Sequence, residues 1–147
     1  MYVPPPCPFC IDNDRGHEVV RKQTLFQSRS WAVLFDHKPM TKGHLVIIPV
    51  THRERRSEIT QEENADLYEV IQRINTIYNR VFGYSNNITY EKNGLGIPHF
   101  QIHVIPVSSK LHSLWLQIML FIRTFPIPFW SLNETQLTEL RNEFLRE

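Results

Sequence analysis

The sequence has almost no excess charge and few cysteines. Its 16 basic and 15 acidic residues give a formal net charge of +1, and no dense run of Lys or Arg marks a surface for a polyanion. We therefore expect no nucleic-acid partner. Only two cysteines occur, close together, so a metal-binding or redox pair is favoured over a structural disulfide.

The chain also lacks recognisable targeting and membrane-spanning segments. Its first six residues have neither the basic nor the apolar region of a secretion signal, so we expect a cytoplasmic protein. The longest apolar stretch, residues 111–125, is shorter than the about 20 residues that a spanning helix needs, and polar side chains interrupt it. No internal repeat is visible, and 147 residues suffice for one domain with its own core.

Hydrophobic patterns along the chain predict an α+β fold. A helix begins at the capping-box sequence Thr60-x-x-Glu63 and carries apolar residues on one face until Gly83. We expect three or four strands to form an antiparallel sheet that this single long helix covers. The predicted strands, of which the first two form a hairpin, are residues 24–27, 31–35, 43–49, 87–91 and 99–105.

The C-terminal part is predicted to be a helical tail. Residues 111–125 are rich in Leu, Ile, Phe and Trp, and we expect so large an apolar surface to be buried against the sheet, a second subunit or a ligand. Ser131-x-x-Glu134 predicts the start of a second helix. The apolar face of that helix consists of Leu137, Leu140 and Phe144.

The two cysteines form a C-x-x-C motif, Cys7-Pro8-Phe9-Cys10, which brings two thiolates within reach of one Zn²⁺. Two ligands alone do not make a stable site. His52 follows one predicted strand and His99 opens another, so neighbouring strands would let them complete a Cys₂His₂ set. The alternative is that both cysteines are ordinary thiols in a turn.

The last predicted strand carries a row of polar residues between its apolar ones. Because side chains alternate along a strand, the polar row lies on one face. Imidazole, amide and backbone donors suit phosphate oxygens, and nearby glycines allow close approach of backbone N–H groups. The alternative is that the histidines and the glutamine are ordinary buried or solvated residues. The candidate phosphate ligands are His44, Gly94, Gly96, Gln101 and His103.

These motifs, in this order, resemble the histidine triad (HIT) superfamily. The resemblance covers residues 7–107: the C-x-x-C, an acidic loop before a G-H-x-L-V-I-P strand, a histidine in the next turn, a helix, and a strand similar to G-x-x-x-x-H-x-H-x-H. It implies a HIT-like domain of residues 1–110 and a homodimer. Residues 111–147 would then be an extension that packs on the domain or at the dimer interface.

The resemblance also implies roles for individual residues. In zinc-bearing members, similar to galactose-1-phosphate uridylyltransferase, two cysteines and two histidines hold a structural Zn²⁺. The corresponding residues are Cys7, Cys10, His52 and His99. An acidic residue on the ribose hydroxyls corresponds to Asp36. The complete nucleotide-binding set is Asp36, His44, Asn93, Gly94, Gly96, Gln101 and His103.

The chain departs from the family at the residue that attacks phosphorus. HIT enzymes use the middle histidine of the triad to form a covalent nucleotidyl-histidine, and this chain has Gln101 there. A carboxamide nitrogen has a delocalised lone pair, so it cannot be that nucleophile. Gly96 also stands where Ser or Thr often contacts the phosphate.

Three functions fit these observations. The first is a hydrolase or transferase acting at the α-phosphate of a nucleoside phosphate, with Gln101 orienting water and His103 moving a proton as the catalytic residues. The second is a non-catalytic nucleotide-binding or sensing module. The third is a zinc-stabilised interaction protein that docks through residues 111–130. Gln101 favours a binding module, whereas the presence of Asp36, His44, His103 and the glycines favours an enzyme, since an interaction scaffold would not need them.

Overall fold

The structure is a computed structural model that describes residues 7–10, 14–94, 96–122 and 131–146, without the side chains of residues 14–17 and 19. Short loops connect most of its helices and strands. In chain order these are α1 (Asp14–Gln23), β1 (Thr24–Gln27), β2 (Trp31–Phe35), β3 (Leu45–Pro49), α2 (Gln61–Phe82), β4 (Asn87–Lys92), β5 (Gln101–Pro106), α3 (Lys110–Ile122) and α4 (Glu134–Leu145).

The five strands form one antiparallel sheet in the order β1-β2-β3-β5-β4. The predicted α+β class is confirmed, and the sheet is larger than the three or four strands expected. The predicted hairpin of β1 and β2 is also confirmed, since the Ser28 amide donates to the Trp31 carbonyl at 2.8 Å and closes the turn. β1 and β4 are the two edges of the sheet.

β3 and β5 both begin two residues later than predicted, at Leu45 and Gln101. His44 and His99 therefore lie at junctions between a loop and a strand. His44 nevertheless stays aligned with the sheet, because its carbonyl accepts a hydrogen bond from the Asp36 amide at 3.0 Å. This bond extends the β2–β3 pairing by one residue and holds Asp36 beside His44.

The main hydrophobic core lies on one face of the sheet, against α2 and α4. The alternation of side chains along each strand explains this placement, because every second residue of β2, β3 and β5 points to the same face. On that face the strands contribute Trp31, Val33, Phe35, Leu45, Ile47, Ile102 and Val104, all of them buried.

α2 matches its prediction at both ends. Thr60 accepts from the Glu63 amide while the Glu63 carboxylate accepts from the Thr60 amide, which completes the capping box. Gly83 ends the helix in the left-handed conformation with φ of 75°. Among the apolar residues that the helical period places on the buried face of α2, Ile71 is 36% exposed.

The C-terminal helix begins two residues later than the Ser131 cap predicts. The amide of Leu132 donates to the His37 carbonyl at 3.1 Å and its side chain is buried, so the chain is still extended there. Asn133 caps α4 instead, in a reciprocal capping box with Gln136. Phe144 is fully buried in the main core, so α4 packs on the sheet domain. The division of the chain at residue 110 stays a prediction.

The opposite face of the sheet is covered at its two ends and open between them. At one end Val20 of α1 and Phe9 pack on β2 and β3, and at the other end Leu116 of α3 packs near β4 and β5. α1 was not predicted, because its apolar residues are only Val19 and Val20. Residues 123–130 lie outside the described part of the chain.

Candidate functional site

The structure brings the four predicted metal ligands together. Cys7 and Cys10 lie in the N-terminal loop, His52 follows β3, and His99 precedes β5, and their ligand atoms all lie within 4.8 Å of one another. Cys7 Sγ is 3.3 Å and Cys10 Sγ is 3.8 Å from His99 Nδ1, while Cys10 Sγ is 2.9 Å from His52 Nδ1. These are the four residues that the sequence motifs predict as metal ligands.

The distances and the hydrogen bonds around this cluster fit a tetrahedral zinc ion. Zinc bonds of about 2.3 Å to sulfur and 2.0 Å to nitrogen separate the two ligand atoms by about 3.5 Å. His99 Nε2 lies 2.9 Å from the Pro49 carbonyl, which only accepts, so its proton is on Nε2 and the Nδ1 lone pair faces the thiolates. His52 Nε2 lies 3.6 Å from the Glu54 carboxylate, which favours the same tautomer.

His99 is held in the neutral form that a metal ligand needs. Burial lowers the pKa of its imidazole, the hydrogen bond to the Pro49 carbonyl acts in the opposite direction, and the nearby His52 lowers the pKa further. The net effect is a pKa below the usual 6.5. His99 is therefore predominantly neutral at neutral pH.

A cleft of about 390 Å³ lies on the open face of the sheet, beside the cysteine loop. Its apolar lining includes Phe9, Leu34 and Val46. Aliphatic and aromatic walls with a few convergent polar groups are typical of a small-molecule site. The polar or charged residues that line it include Asp36, His37, Lys38, Lys92, Gln101 and His103.

Asp36, His44 and His103 form a buried polar cluster beside this cleft. Asp36 Oδ2 lies 3.2 Å from His103 Nδ1 and 3.5 Å from His44 Nε2, and Asp36 Oδ1 accepts from the Lys38 amide at 2.7 Å. Burial raises the pKa of Asp36, but the hydrogen bond from His103, the charges of both imidazoles and the Lys38 amide lower it to about 2. Asp36 is therefore a carboxylate at neutral pH.

A backbone hydrogen bond sets the tautomer of His44. The Met40 amide donates to His44 Nδ1 at 3.1 Å, so a neutral His44 carries its proton on Nε2. His44 Nε2 lies 3.0 Å from His103 Nδ1 and 3.5 Å from Asp36 Oδ2, and this carboxylate oxygen can accept from both imidazoles. The motifs predict both histidines as site residues. They do not predict Met40, because it contributes only its backbone amide.

The His44 tautomer argues against a metal ion bound by Asp36, His44 and His103. Asp36, His44 and His103 are close enough to hold one metal. A histidine ligand, however, must present a lone pair, and His44 Nε2 carries the proton that Met40 excludes from Nδ1. We therefore interpret these three residues as a proton-binding cluster.

Gln101 lies on β5 between His99 of the predicted metal-ligand set and His103 of the proton-binding cluster. It is 4% exposed, and its side-chain Nε2 donates to the His99 carbonyl at 3.3 Å. Because a carbonyl only accepts, the amide nitrogen must face it; the second N–H donor and the acceptor Oε1 remain for a ligand. The Tyr90 ring stacks on His103, with centroids 4.5 Å apart and planes 2° apart.

The predicted phosphate turn faces partly away from the cleft. The Asn93 side chain accepts from the Arg56 amide at 2.7 Å, and Gly94 lies against the Glu54 carbonyl. Gly94 and Gly96 do adopt the positive φ values, 67° and 85°, for which glycine is suited. Asn93, Gly94 and Gly96 are absent from the described lining of the cleft. Their predicted contact with phosphate stays a prediction.

Comparison with known proteins identifies the family. The family model described as "Protein similar to CwfJ C-terminal" matches residues 1–120, most of the chain. The chain belongs to that family. Its fold agrees with a zinc-bound histidine triad family protein from Mycobacterium smegmatis, with a TM-score of 0.64 at 19% identity over 95% of this chain and 93% of the other. The predicted membership of the HIT superfamily is thereby confirmed.

Two curated relatives of this HIT protein are hydrolases by name. A bis(5'-nucleosyl)-tetraphosphatase (asymmetrical) from Schizosaccharomyces pombe is 28% identical over 91 residues, 59% of this chain and 50% of that protein. A bis(5'-adenosyl)-triphosphatase from Dictyostelium discoideum is 30% identical over 97 residues, 62% of this chain and 64% of the other. The match thus spans about half to just under two thirds of the length of these relatives.

Within the described residues, no helix is long and apolar enough to cross a membrane.

Proposed function

We propose that this HIT protein binds a nucleoside phosphate in the cleft, with the α-phosphate at Gln101 and His103. The observation that carries the proposal is the position of Gln101 and His103 in the lining of the cleft, next to the Asp36 carboxylate, which lies 3.2 Å from His103 Nδ1. The names of the two curated hydrolase relatives support the same ligand class. The apolar part of the lining suits a nucleoside better than it suits inorganic phosphate.

Gln101 excludes the covalent route from the proposed chemistry. The His99 carbonyl takes one of the two N–H donors of Gln101, so the second N–H and the acceptor Oε1 remain for a ligand or a water molecule, and neither is a nucleophile. The Gln101 amide can orient a water molecule for direct attack on the α-phosphorus, with His103 taking a proton from the water as the leaving phosphate departs. We therefore expect nucleotide binding with turnover that is weak or absent.

A binding experiment and a gain-of-function variant test this proposal. Calorimetric titration with ADP and with diadenosine triphosphate should give saturable binding, and steady-state hydrolysis of both should be slow. Gln101→His should add turnover and allow a nucleotidyl-histidine to be trapped, because it restores the nucleophile beside an intact His103. Gln117→His, on the exposed side of α3, is the matched control. A trapped covalent nucleotide on the unaltered protein would refute the proposed route.

We propose that Cys7, Cys10, His52 and His99 hold a structural zinc ion. The tautomers of the two histidines and the spacing of the four donors support this assignment. The bound metal would tie the N-terminal loop to the start of β5, next to Gln101. Protein prepared without chelator should contain about one zinc per chain, and removal of the zinc should lower its melting temperature. A folded protein of unchanged stability with no metal would contradict the proposal.

A protein-interaction role has one specific observation in its favour. α3 exposes a row of large apolar side chains, and an exposed patch of this kind often marks an interface. The row consists of Leu111, Leu114, Trp115, Ile118 and Phe121, which are 47–78% exposed. A homodimer and a cytoplasmic location stay predictions. Light scattering of the purified protein tests the first, and imaging of the tagged protein in cells tests the second.

A further inference from the structure

α3 has one buried side and one exposed apolar side. Leu116 is buried against Ile105 and Val107 of the sheet domain. Another side of the helix carries four large apolar residues that are 47–78% exposed, at the i, i+3, i+4, i+7 spacing of a single helical face. These residues, the apolar row of α3, are Leu111, Leu114, Trp115 and Ile118. α3 therefore packs on the domain by one side and turns the apolar row towards its surroundings.

Acidic residues are missing from the part of the sequence that contains this row. All 15 acidic residues lie in residues 12–91 and 134–147, so residues 92–133 contain none. α3 itself carries one charged side chain, Lys110, which is exposed and begins the helix next to the apolar row. An exposed apolar face that begins at a basic residue and has no acidic residue beside it in the sequence is complementary to an anionic lipid surface.

A hollow of about 400 Å³ lies beside the start of α3. The polar residues of its described lining are Asn86, Asn87, Ser109 and Ser113, and Lys110 is the single charged residue there. Amide, hydroxyl and ammonium groups all donate hydrogen bonds to the oxygens of phosphate and carboxylate groups. Because Lys110 directly precedes the apolar row, an anionic headgroup in this hollow would lie next to the side chains that can enter the acyl region.

The composition of α3 favours a lipid surface over a second copy of this chain. A contact between two copies of α3 would place one apolar row on the other, and each helix would bring Lys110 and no carboxylate to it. Such a contact lacks the opposite charges that fix the register of a protein interface. Trp115 supports the same choice, because an indole ring with its apolar body and polar N–H suits the boundary between a membrane and water.

We infer that α3 is a docking helix that binds the surface of membranes containing anionic phospholipids. The helix lies in the plane of the interface, with the apolar row at the boundary between headgroups and acyl chains and Lys110 among the headgroups. The side of α3 that carries Leu116 stays packed on the domain. The inference concerns a surface outside the nucleotide cleft, so it holds or fails independently of the proposed nucleotide binding.

Co-sedimentation of the full chain with lipid vesicles tests this inference. Vesicles of phosphatidylcholine and phosphatidylserine should bind the protein, whereas vesicles of phosphatidylcholine alone should bind it much less, and added salt should weaken the binding. Ile118→Glu should reduce binding at least about tenfold, because it puts a charge into the apolar row. Lys110→Gln should reduce binding about fivefold, which is the scale of one basic residue at an anionic surface.

Tyr68→Glu is the matched control for Ile118→Glu. Tyr68 is a large apolar residue of α2 that is 62% exposed, and α2 packs on the other face of the sheet from α3. This variant introduces the same charge away from the apolar row, so it should bind the anionic vesicles as well as the unaltered protein does. Equal losses of binding in Tyr68→Glu and Ile118→Glu would overturn the inference, because binding would then depend on net charge alone.

The remaining outcomes are equally decisive. The inference is overturned if the unaltered protein binds neither kind of vesicle, or if Ile118→Glu binds as well as the unaltered protein. Dimers that Ile118→Glu abolishes, without any binding to vesicles, would assign the apolar row to a second copy and also overturn it. If melting temperatures show that Ile118→Glu is misfolded, Leu111→Glu replaces it, because Leu111 is 78% exposed, and this variant must then lose the binding.

Discussion

Replacing Asp36 with asparagine preserves the shape of the side chain and removes its negative charge. Asp36 is 8% exposed, and its carboxylate faces His44 and His103. The variant keeps an acceptor for the Lys38 amide. It puts either a neutral oxygen or an NH₂ group next to the two imidazoles, so the favourable interaction of a full charge is lost.

The pKa of Asp36 gives the size of the expected effect. A folded-state pKa of about 2, compared with the usual 3.8, means that the folded protein favours the ionised form. Each pKa unit is worth about 1.4 kcal/mol, so the shift corresponds to about 2 kcal/mol of stability. Because the folded pKa is the lower one, this stability is present above about pH 4 and is lost as the pH falls towards 2.

Denaturant unfolding at several pH values measures this effect directly. Asp36→Asn should lower the free energy of unfolding by about 2 kcal/mol at pH 6–7 and by much less near pH 3. The difference between the two proteins is the relevant quantity, because acid also protonates thiolates and would displace a bound zinc ion from both. Glu69→Gln, an exposed carboxylate of α2, is the control and should change little. A difference that is absent at pH 7, or constant with pH, would refute this account of Asp36.

Three further changes test the packing around the site. Tyr78→Phe should lower the free energy of unfolding by about 1–3 kcal/mol, because the buried Tyr78 hydroxyl lies 2.7 Å from the Gly43 carbonyl and 3.1 Å from the Val104 carbonyl. Unfolding curves equal to those of the unaltered protein would contradict this. Gly43→Ala should destabilise the protein more than Gly83→Ala does. Both glycines have positive φ, but only at Gly43 does an added Cβ come within 2.8–3.0 Å of two phenyl rings. Equal melting temperatures of the two variants would rule the clash out. Phe144→Ala should cost about 3–5 kcal/mol in chemical unfolding, and a loss under 1 kcal/mol would show that α4 is not part of the core.

Local interactions explain which elements of the fold the sequence predicts well. The capping box at Thr60 and the glycine at the end of α2 act within a few residues, so both ends of the helix can be predicted without any knowledge of the partner elements. The start of α4 shows the limit. Ser131 and Asn133 are both suitable caps, and a hydrogen bond from Leu132 to the distant His37 carbonyl decides between them.

Motif order accounts for the part of the site that could be predicted. The C-x-x-C motif and its two histidine partners are recognisable from spacing and resemblance, and the structure brings all four side chains together. The motifs do not predict that the Asn93 side chain accepts from the Arg56 amide, 37 residues away. Nothing in the local sequence of that turn specifies this contact.

The fold class, the HIT superfamily and the replacement of the nucleophile by Gln101 can be predicted from the sequence, because they depend on residue identity and on periods of a few residues. The tertiary structure is needed to show how Met40 sets the tautomer of His44, and which residues stand beside Gln101 and His103 on β4. Strand register and backbone hydrogen bonds between distant segments fix those relations. They arise when the whole sheet forms, so no short stretch of the chain encodes them.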